Sequence, residues 1–253
     1  MLEGWGIDVR FLRYDLAGME SRTNYEIVEN TGRACTMLTE RGPILPKEIT
    51  DDLLHQIEEL VRQGDILVLT GDASNVEDAA IYSKLALAGQ NLGAKVCLDA
   101  SGPYLREGLI SHPYLIKPNL EELSFLAGRE LKTESDIITT LQSLNEYQIP
   151  IIAMTWGGKG SLVKYRRDYY RVSPIQVESI NEGGCGDAFL SAIIAGIEQN
   201  KSIEDTLKTA AAIAAATAES ELTVGYDPIR AEELLDRAVV MRLIQGTTVW
   251  EGE

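Results

Sequence analysis

DILVLTGDASNVEDAAIYSKLALAGQNLGAKVCLDA, residues 65–100, decides the fold. Asp65–Thr70 is a short aliphatic run without polar alternation, which reads as a strand buried on both faces. Val76–Asn91 follows with apolar residues at helical spacing, and Lys95–Asp99 is a second short aliphatic run. A strand, a helix-length connection and another strand make a right-handed crossover between parallel neighbours.

The alternation continues outward in both directions. Upstream, Asp51–Gln63 places Leu53, Leu54, Ile57, Leu60 and Val61 on one helical side, with Gly64 as the stop. Downstream, Leu115–Lys117 is a short strand, and Asn119 caps a helix over Leu120–Ala127. Ser135–Tyr147 is a helix leading to the strand Pro150–Thr155. Gly160–Tyr165 and Tyr169–Val172 form a hairpin around Arg166-Arg167-Asp168. Asp187–Gln199 and Ser202–Glu219 are helices, the second opened by a Ser202…Asp205 pair resembling a capping box, and Glu232–Ile244 closes the fold. Such a chain builds a mostly parallel sheet covered on both faces, with ligands bound beyond the carboxyl ends of its strands. Residues 1–45 are written differently. Val9–Asp15 and Asn24–Val28 are β-rich, and Glu29-Asn30-Thr31-Gly32 supplies a turn before Ala34–Thr39. The chain therefore divides into a β-rich region, 1–45, and an α/β core, 46–253.

Composition narrows the function. A net charge of −16 opposes a nucleic-acid partner, and any phosphorylated ligand needs a local basic pocket against that field. Cys35, Cys97 and Cys185 are scattered without metal-ligand spacing, which suggests a reducing, cytoplasmic setting. There is no signal-peptide pattern, and no apolar run reaches membrane-spanning length.

Four segments carry candidate chemistry. Ser179–Leu190 (SINEGGCGDAFL) sets three glycines before an acid that opens an apolar helix. Free amides and a helix N-terminus make an anion site, and Asp187 could act there as a base or simply as a cap. In Lys117-Pro118-Asn119-Leu120-Glu121-Glu122, Asn119 and Glu122 share a face near a helix start. An amide and a carboxylate there suit a hydrated Mg²⁺, and the spacing fits a capping box even better. Thr155-Trp156-Gly157-Gly158-Lys159-Gly160 joins two strands, either as a backbone approach for a nucleotide with Lys159 on a phosphate, or as a tight hairpin turn. Arg22, in Ser21-Arg22-Thr23-Asn24, could grip a phosphate with its planar fork or be an exposed strand arginine.

Taken in order, these segments resemble the PfkB (ribokinase-like) family of carbohydrate kinases, in particular its 1-phosphofructokinase and tagatose-6-phosphate kinase branch. The resemblance includes LVLTGD at 67–72, VCLDASG at 96–102, IKPNLEEL at 116–123 and NEGGCGDAF at 181–189. It implies a three-layer, Rossmann-like ribokinase-type α/β fold with a small β lid, matching the β-rich first region. It implies an enzyme that uses ATP and Mg²⁺ to phosphorylate a phosphosugar of the fructose 1-phosphate or tagatose 6-phosphate type. Under it Asp187 is the catalytic base, and the amides of Gly184, Cys185 and Gly186 form the anion hole. Asn119 and Glu122 serve Mg²⁺, and Thr155, Gly157, Gly160 and Lys117 serve ATP. Arg22 and Asn24 belong to the substrate site, and the lid can form a homodimer.

Departures from the family temper the implication. The family's opening strand with its substrate-binding aspartate is absent, as is the Gly-Gly-Lys-Gly-like segment after it. The chain thus reads as starting inside the family domain, which leaves a non-catalytic nucleotide-binding remnant as one alternative. A kinase of an unphosphorylated sugar is another. Asp72 stands where relatives often carry Ser, and Glu182 where they carry Thr, Pro or Ser. Cys185 reads as a small residue tolerated in the anion loop, not a nucleophile, although its place at a helix N-terminus could lower its thiol pKa and make it alkylation-sensitive.

Overall fold

A computed structural model describes residue 4 and residues 6–14, 20–28 and 35–243. The expected turn at 29–32, and Asp15, Ala34 and Ile244 at the ends of expected elements, lie outside the described residues.

Two sheets form. A two-stranded antiparallel ribbon pairs β1 (Asn24–Val28) with β2 (Cys35–Thr39), placing Asn24 opposite Thr39 and Tyr25 opposite Leu38. The main sheet has seven strands in the order of the sequence: β3 (Ile66–Thr70), β4 (Lys95–Asp99), β5 (Leu115–Ile116), β6 (Ile151–Thr155), β7 (Ser161–Tyr165), β8 (Asp168–Val172) and β9 (Val240–Leu243). The pairs from β3 to β6 are parallel and those from β6 to β9 antiparallel. The sheet is therefore mixed rather than mostly parallel. For β6–β7 and β7–β8 the reason is local: a tight turn after each strand leaves no chain for a crossover, whereas β9 reaches β8 through the long connection that holds α6, α7 and α8.

Among the described residues eight α-helices join them: α1 (Lys47–Leu60), α2 (Ile81–Asn91), α3 (Gly102–Gly108), α4 (Leu120–Ala127), α5 (Glu134–Ser143), α6 (Cys185–Glu198), α7 (Ile203–Ala218) and α8 (Pro228–Leu235). Successive residues of the central strands enter opposite cores, as the strand period of two requires. Ile116, Ile152, Met154 and Leu162 join the cluster that includes Leu105, Leu123, Ile137 and Leu141. Leu115, Ile151, Ala153 and Val163 join Phe189, Leu190, Ile193 and Leu207. The three layers are helices, sheet and helices.

Several elements differ from the sequence expectation. Helix α2 starts at Ile81, not Val76, because the Asp78 carboxylate accepts the Ala80 N–H at 3.0 Å and holds a turn there. Helix α1 begins at Lys47 behind Pro46 and ends at Leu60, where Asp65 draws the Arg62 N–H into a turn at 2.8 Å. The expected helix 135–147 is α5 followed by a 3₁₀ turn over Leu144–Tyr147. Residues 7–14 form no strand. The closing segment is the short α8 and then β9, an edge strand beside β8. Helix α3 had no counterpart in the sequence reading. Ser202 caps α7 by accepting the Asp205 N–H at 3.1 Å, and its hydroxyl donates to the Asp205 carboxylate.

Candidate active site

The glycine loop and α6 lie past the carboxyl ends of β4, β5 and β6. Gly184 is the N-cap of α6 at φ 78°, and a Cβ there would sit 1.9 Å from the Thr223 carbonyl oxygen, so the position accepts only glycine. The Asn181 side-chain oxygen accepts the Gly183 N–H at 2.7 Å and fixes the approach. No side chain caps α6; the Cys185 N–H donates weakly to the Glu182 carbonyl at 3.4 Å, and the Gly186 and Asp187 amides of the first turn keep their donors for an anion. Asp187 is exposed in that first turn.

Lys117, just past β5, lies under this loop. Its ammonium is 3.1 Å from the Asp99 carboxylate at the end of β4, and the two side chains are only 8% and 12% exposed. The same ammonium is 3.2 Å from where a Cβ on Gly186 would be, so the absence of a side chain there opens a path from the lysine to the anion loop. Burial pushes the Asp99 carboxyl above its usual range; Lys117 opposes this, and the charge of Asp187 adds to it. Asp99 was missing from the sequence-derived site residues. Its one signal was a carboxylate ending an otherwise apolar strand.

Asn119 and Glu122 form a reciprocal capping box. The Asn119 N–H donates to Glu122 Oε2, and the Glu122 N–H donates to Asn119 Oδ1, each at 2.8 Å. The structural role that the spacing favoured is thus present. Glu122 is also buried enough for its carboxyl to be pushed up. Among the described residues no group of three or more His, Cys, Asp or Glu is arranged to hold a metal. Oxygen donors from an amide and a carboxylate still fit the chemistry of a largely hydrated Mg²⁺, which needs few protein ligands.

Thr155 bridges Asn119 across the parallel strand ends, its N–H donating to the Pro118 carbonyl at 3.0 Å. The turn after it is a 3₁₀ turn, Gly157–Lys159. A Cβ on Gly160, at φ 88°, would lie 2.2 Å from the Val172 carbonyl oxygen, so hairpin closure demands glycine. The Lys159 ammonium lies over the Trp156 ring, 4.6 Å from its centroid. A cavity of about 600 Å³ brings these parts together: Asn119, Thr155, Gly157 and Gly160 line it with Cys185 and Gly186. Ala211, Ala214, Ala215 and Ala218 of α7 form an apolar wall, which suits a flat ring.

The β1–β2 side is held by a different contact. Arg22 donates to the Asp72 carboxylate at 2.5 Å, and Asp72 also accepts the Ser74 N–H at 2.8 Å and its hydroxyl at 3.0 Å. Partial burial works to raise the Asp72 carboxyl, but Ser74 and Arg22 outweigh it and hold it below its usual range. Arg22 and Asn24 are not among the residues lining the cavity. Glu26 of β1 reaches the glycine loop, its Oε1 3.3 Å from where a Cβ on Gly183 would lie. The thiol lowering that the helix N-terminus could give Cys185 does not appear: burial, then the nearby Glu182 charge, push its thiol up to about 11.

The comparison with known families settles the ancestry: residues 1–229 match the model of the pfkB family carbohydrate kinases. The chain belongs to the PfkB family. A tagatose-6-phosphate kinase of Staphylococcus epidermidis is 25% identical over 213 residues, covering 82% of this chain and 68% of that protein. Phosphofructokinase-2 from Escherichia coli, in complex with potassium, superposes with a TM-score of 0.83 at 24% identity, over 93% of this chain and 76% of that one. Arabidopsis thaliana ribokinase complexed with ribose and ATP gives 0.69 at 22% identity, over 86% and 70%. These likenesses establish the three-layer α/β fold of PfkB kinases for this chain. No helix among the described residues is long and apolar enough to cross a membrane.

Proposed function

We propose that this PfkB protein is a phosphotransferase that moves the terminal phosphoryl group of ATP to a hydroxyl of a phosphosugar, of the fructose 1-phosphate or tagatose 6-phosphate type. The observation that carries the reading is convergence. Asn119–Glu121, Thr155–Gly158 with Gly160, and Glu182 with Cys185 and Gly186 border one cavity, and the start of α6, with Asp187 in its first turn, stands beside it.

In this reading the alanine wall of α7 and the Thr155–Gly160 turn receive the nucleotide. The amides of Gly184, Cys185 and Gly186 meet the transferring phosphoryl group, with the Lys117 charge beneath them. Asp187 accepts the proton of the attacking hydroxyl, which needs only a carboxylate within reach of the acceptor. Asn119 and Glu122 would hold Mg²⁺, which when bound neutralises charge on the phosphates. The ribbon β1–β2, within the 1–45 lid region, covers the sugar above the 46–253 core and supplies Arg22 and Asn24. Its exposed Tyr25, Ile27, Met37 and Leu38 suit pairing with a second copy. The described residues hold no membrane-spanning helix, and the substrates are small and water-soluble, which fits a cytoplasmic enzyme.

The test is ADP release that depends on both Mg²⁺ and sugar, in the parent and in Asp187→Asn. Loss of a general base lowers kcat by roughly 10²–10⁴-fold while ATP affinity is kept. Parent-like turnover in the variant removes Asp187 from this role. One observation favours a second reading. The Arg22 fork is already engaged by Asp72, as expected of a kinase acting on an unphosphorylated sugar. Turnover of free hexoses unaffected by Arg22→Ala selects that reading.

A further inference from the structure

A second concavity lies at the opposite end of the sheet, with a volume of about 1300 Å³. The strand register puts the start of β6, the end of β7, the start of β8 and the end of β9 around it. Its chemistry is unlike that of the cavity beside the glycine loop. That cavity is lined by no lysine or arginine, whereas this one is lined by Lys164, Arg166, Arg167 and Arg242 against the single carboxylate of Asp168. In a chain of net charge −16, a strongly cationic hollow thus lies remote from the proposed chemistry.

Two of these cations have their electrostatic needs met in part. Arg242 pairs with Asp168 at 2.6 Å, and the Arg166 guanidinium lies over the Tyr165 ring at 5.3 Å. Arg167 is exposed, and among the described residues no carboxylate pairs with it, with Arg166 or with Lys164. Lys164 is the informative one. The period of two places it on the same sheet face as Leu162, where an apolar residue is the ordinary choice. It is only 4% exposed, and its ammonium makes one bond, to the Ile149 carbonyl at 2.8 Å. A buried ammonium with two donors to spare and no counter-charge is unfavourable unless an anion completes it. Burial indeed lowers its pKa.

We propose that this basal pocket is a second anion site that takes a small ligand through its phosphoryl group, with Lys164 as the buried anchor and Arg166 and Arg167 as the closing forks. Lysine supplies a point charge and arginine a planar pair of donors, the combination that suits phosphate oxygens. The bulk of the hollow leaves room for an attached sugar or nucleoside. The inference is independent of the reading of the glycine loop.

Calorimetric titration of the intact chain with inorganic pyrophosphate, a sugar phosphate and ATP tests it. Pyrophosphate is expected to bind in two classes of site, one on the glycine loop and one basal. Arg167→Glu, on the exposed hairpin turn, and Lys164→Met are each expected to weaken one class by about tenfold or more, as loss of a charged hydrogen bond implies, and to leave the other intact. Thermal melts confirm that each variant is folded; should Lys164→Met melt early, Arg167→Glu decides alone. The ligand whose affinity falls furthest in the variants identifies the source of the phosphoryl group: inorganic, sugar or nucleotide. One class of site, titrating identically in the parent and Arg167→Glu, overturns the proposal, as does the absence of any phosphate binding.

Discussion

Replacing Lys117 with methionine probes the heart of the site. The substitution keeps the length and most of the volume of the side chain but removes the charge 3.1 Å from Asp99. Both groups are almost fully enclosed, so solvent does not screen the loss. Deleting one member of a buried pair leaves an uncompensated charge and costs about 3–5 kcal/mol. For a chain of this size, each 1 kcal/mol moves the midpoint by about 2–4 °C, so a fall of roughly 6–20 °C is expected. The effect must depend on pH, with a definite sign. Burial already holds the Asp99 carboxyl above its usual range. An aspartate raised in the folded state favours folding below the ordinary carboxylate range and loses that contribution as pH rises through its folded value. Neutral pH is thus its unfavourable side, and Lys117 tempers it there. Without the ammonium the folded value rises further, so the variant loses most at about pH 7 and recovers part of the loss near pH 5. Urea melts at both pH values measure this. Adding Asp99→Leu to Lys117→Met should restore stability while leaving turnover low. A loss under about 1 kcal/mol, or one equal at both pH values, would refute the buried-pair argument.

Three further outcomes follow from the same geometry. Gly184→Ala forces a left-handed backbone on alanine, about 1–2 kcal/mol, and drives its Cβ onto the Thr223 carbonyl; a combined loss above about 2 kcal/mol by denaturant melt is expected, and a neutral result contradicts the loop geometry. Native Cys185, with its thiol pushed up to about 11, should resist iodoacetamide at neutral pH, with mass spectrometry as the readout; rapid labelling would refute the raised thiol. Asp72→Ser frees Arg22 from its carboxylate partner and should lower KM for a phosphosugar by about tenfold or more with little change in kcat, since a charged hydrogen bond contributes about 1.5–3 kcal/mol. Unchanged KM in both Asp72→Ser and Arg22→Ala would detach Arg22 from the sugar phosphate.

What the sequence revealed tracks the separation of the partners. The Asn119–Glu122 box and the Gly183–Asp187 turn are local, and both were readable from spacing and glycine content. The Lys117–Asp99 pair spans two strands and was invisible as a pair, although each residue ended a legible strand. Arg22 and Asp72 are separated by fifty positions, and nothing in either segment announces the other. Val240–Leu243 carries too few residues to reveal its period, so only its pairing with β8 makes it a strand. Cys185 shows two influences in competition: the helix start would lower the thiol, but enclosure, which sequence cannot gauge, prevails.

The ribbon β1–β2 pairs with no strand of the main sheet, and a lone two-stranded ribbon is marginal in water. Its order is borrowed from contacts such as Arg22 to Asp72 and Glu26 beside the glycine loop. In the proposed reading, where the ribbon is the lid over the acceptor, lid closure and acceptor binding are then one thermodynamic event rather than two. Heating, which loosens the ribbon before the packed core, should erode acceptor affinity well before nucleotide affinity, so the working temperature of this protein would be set by its thinnest part.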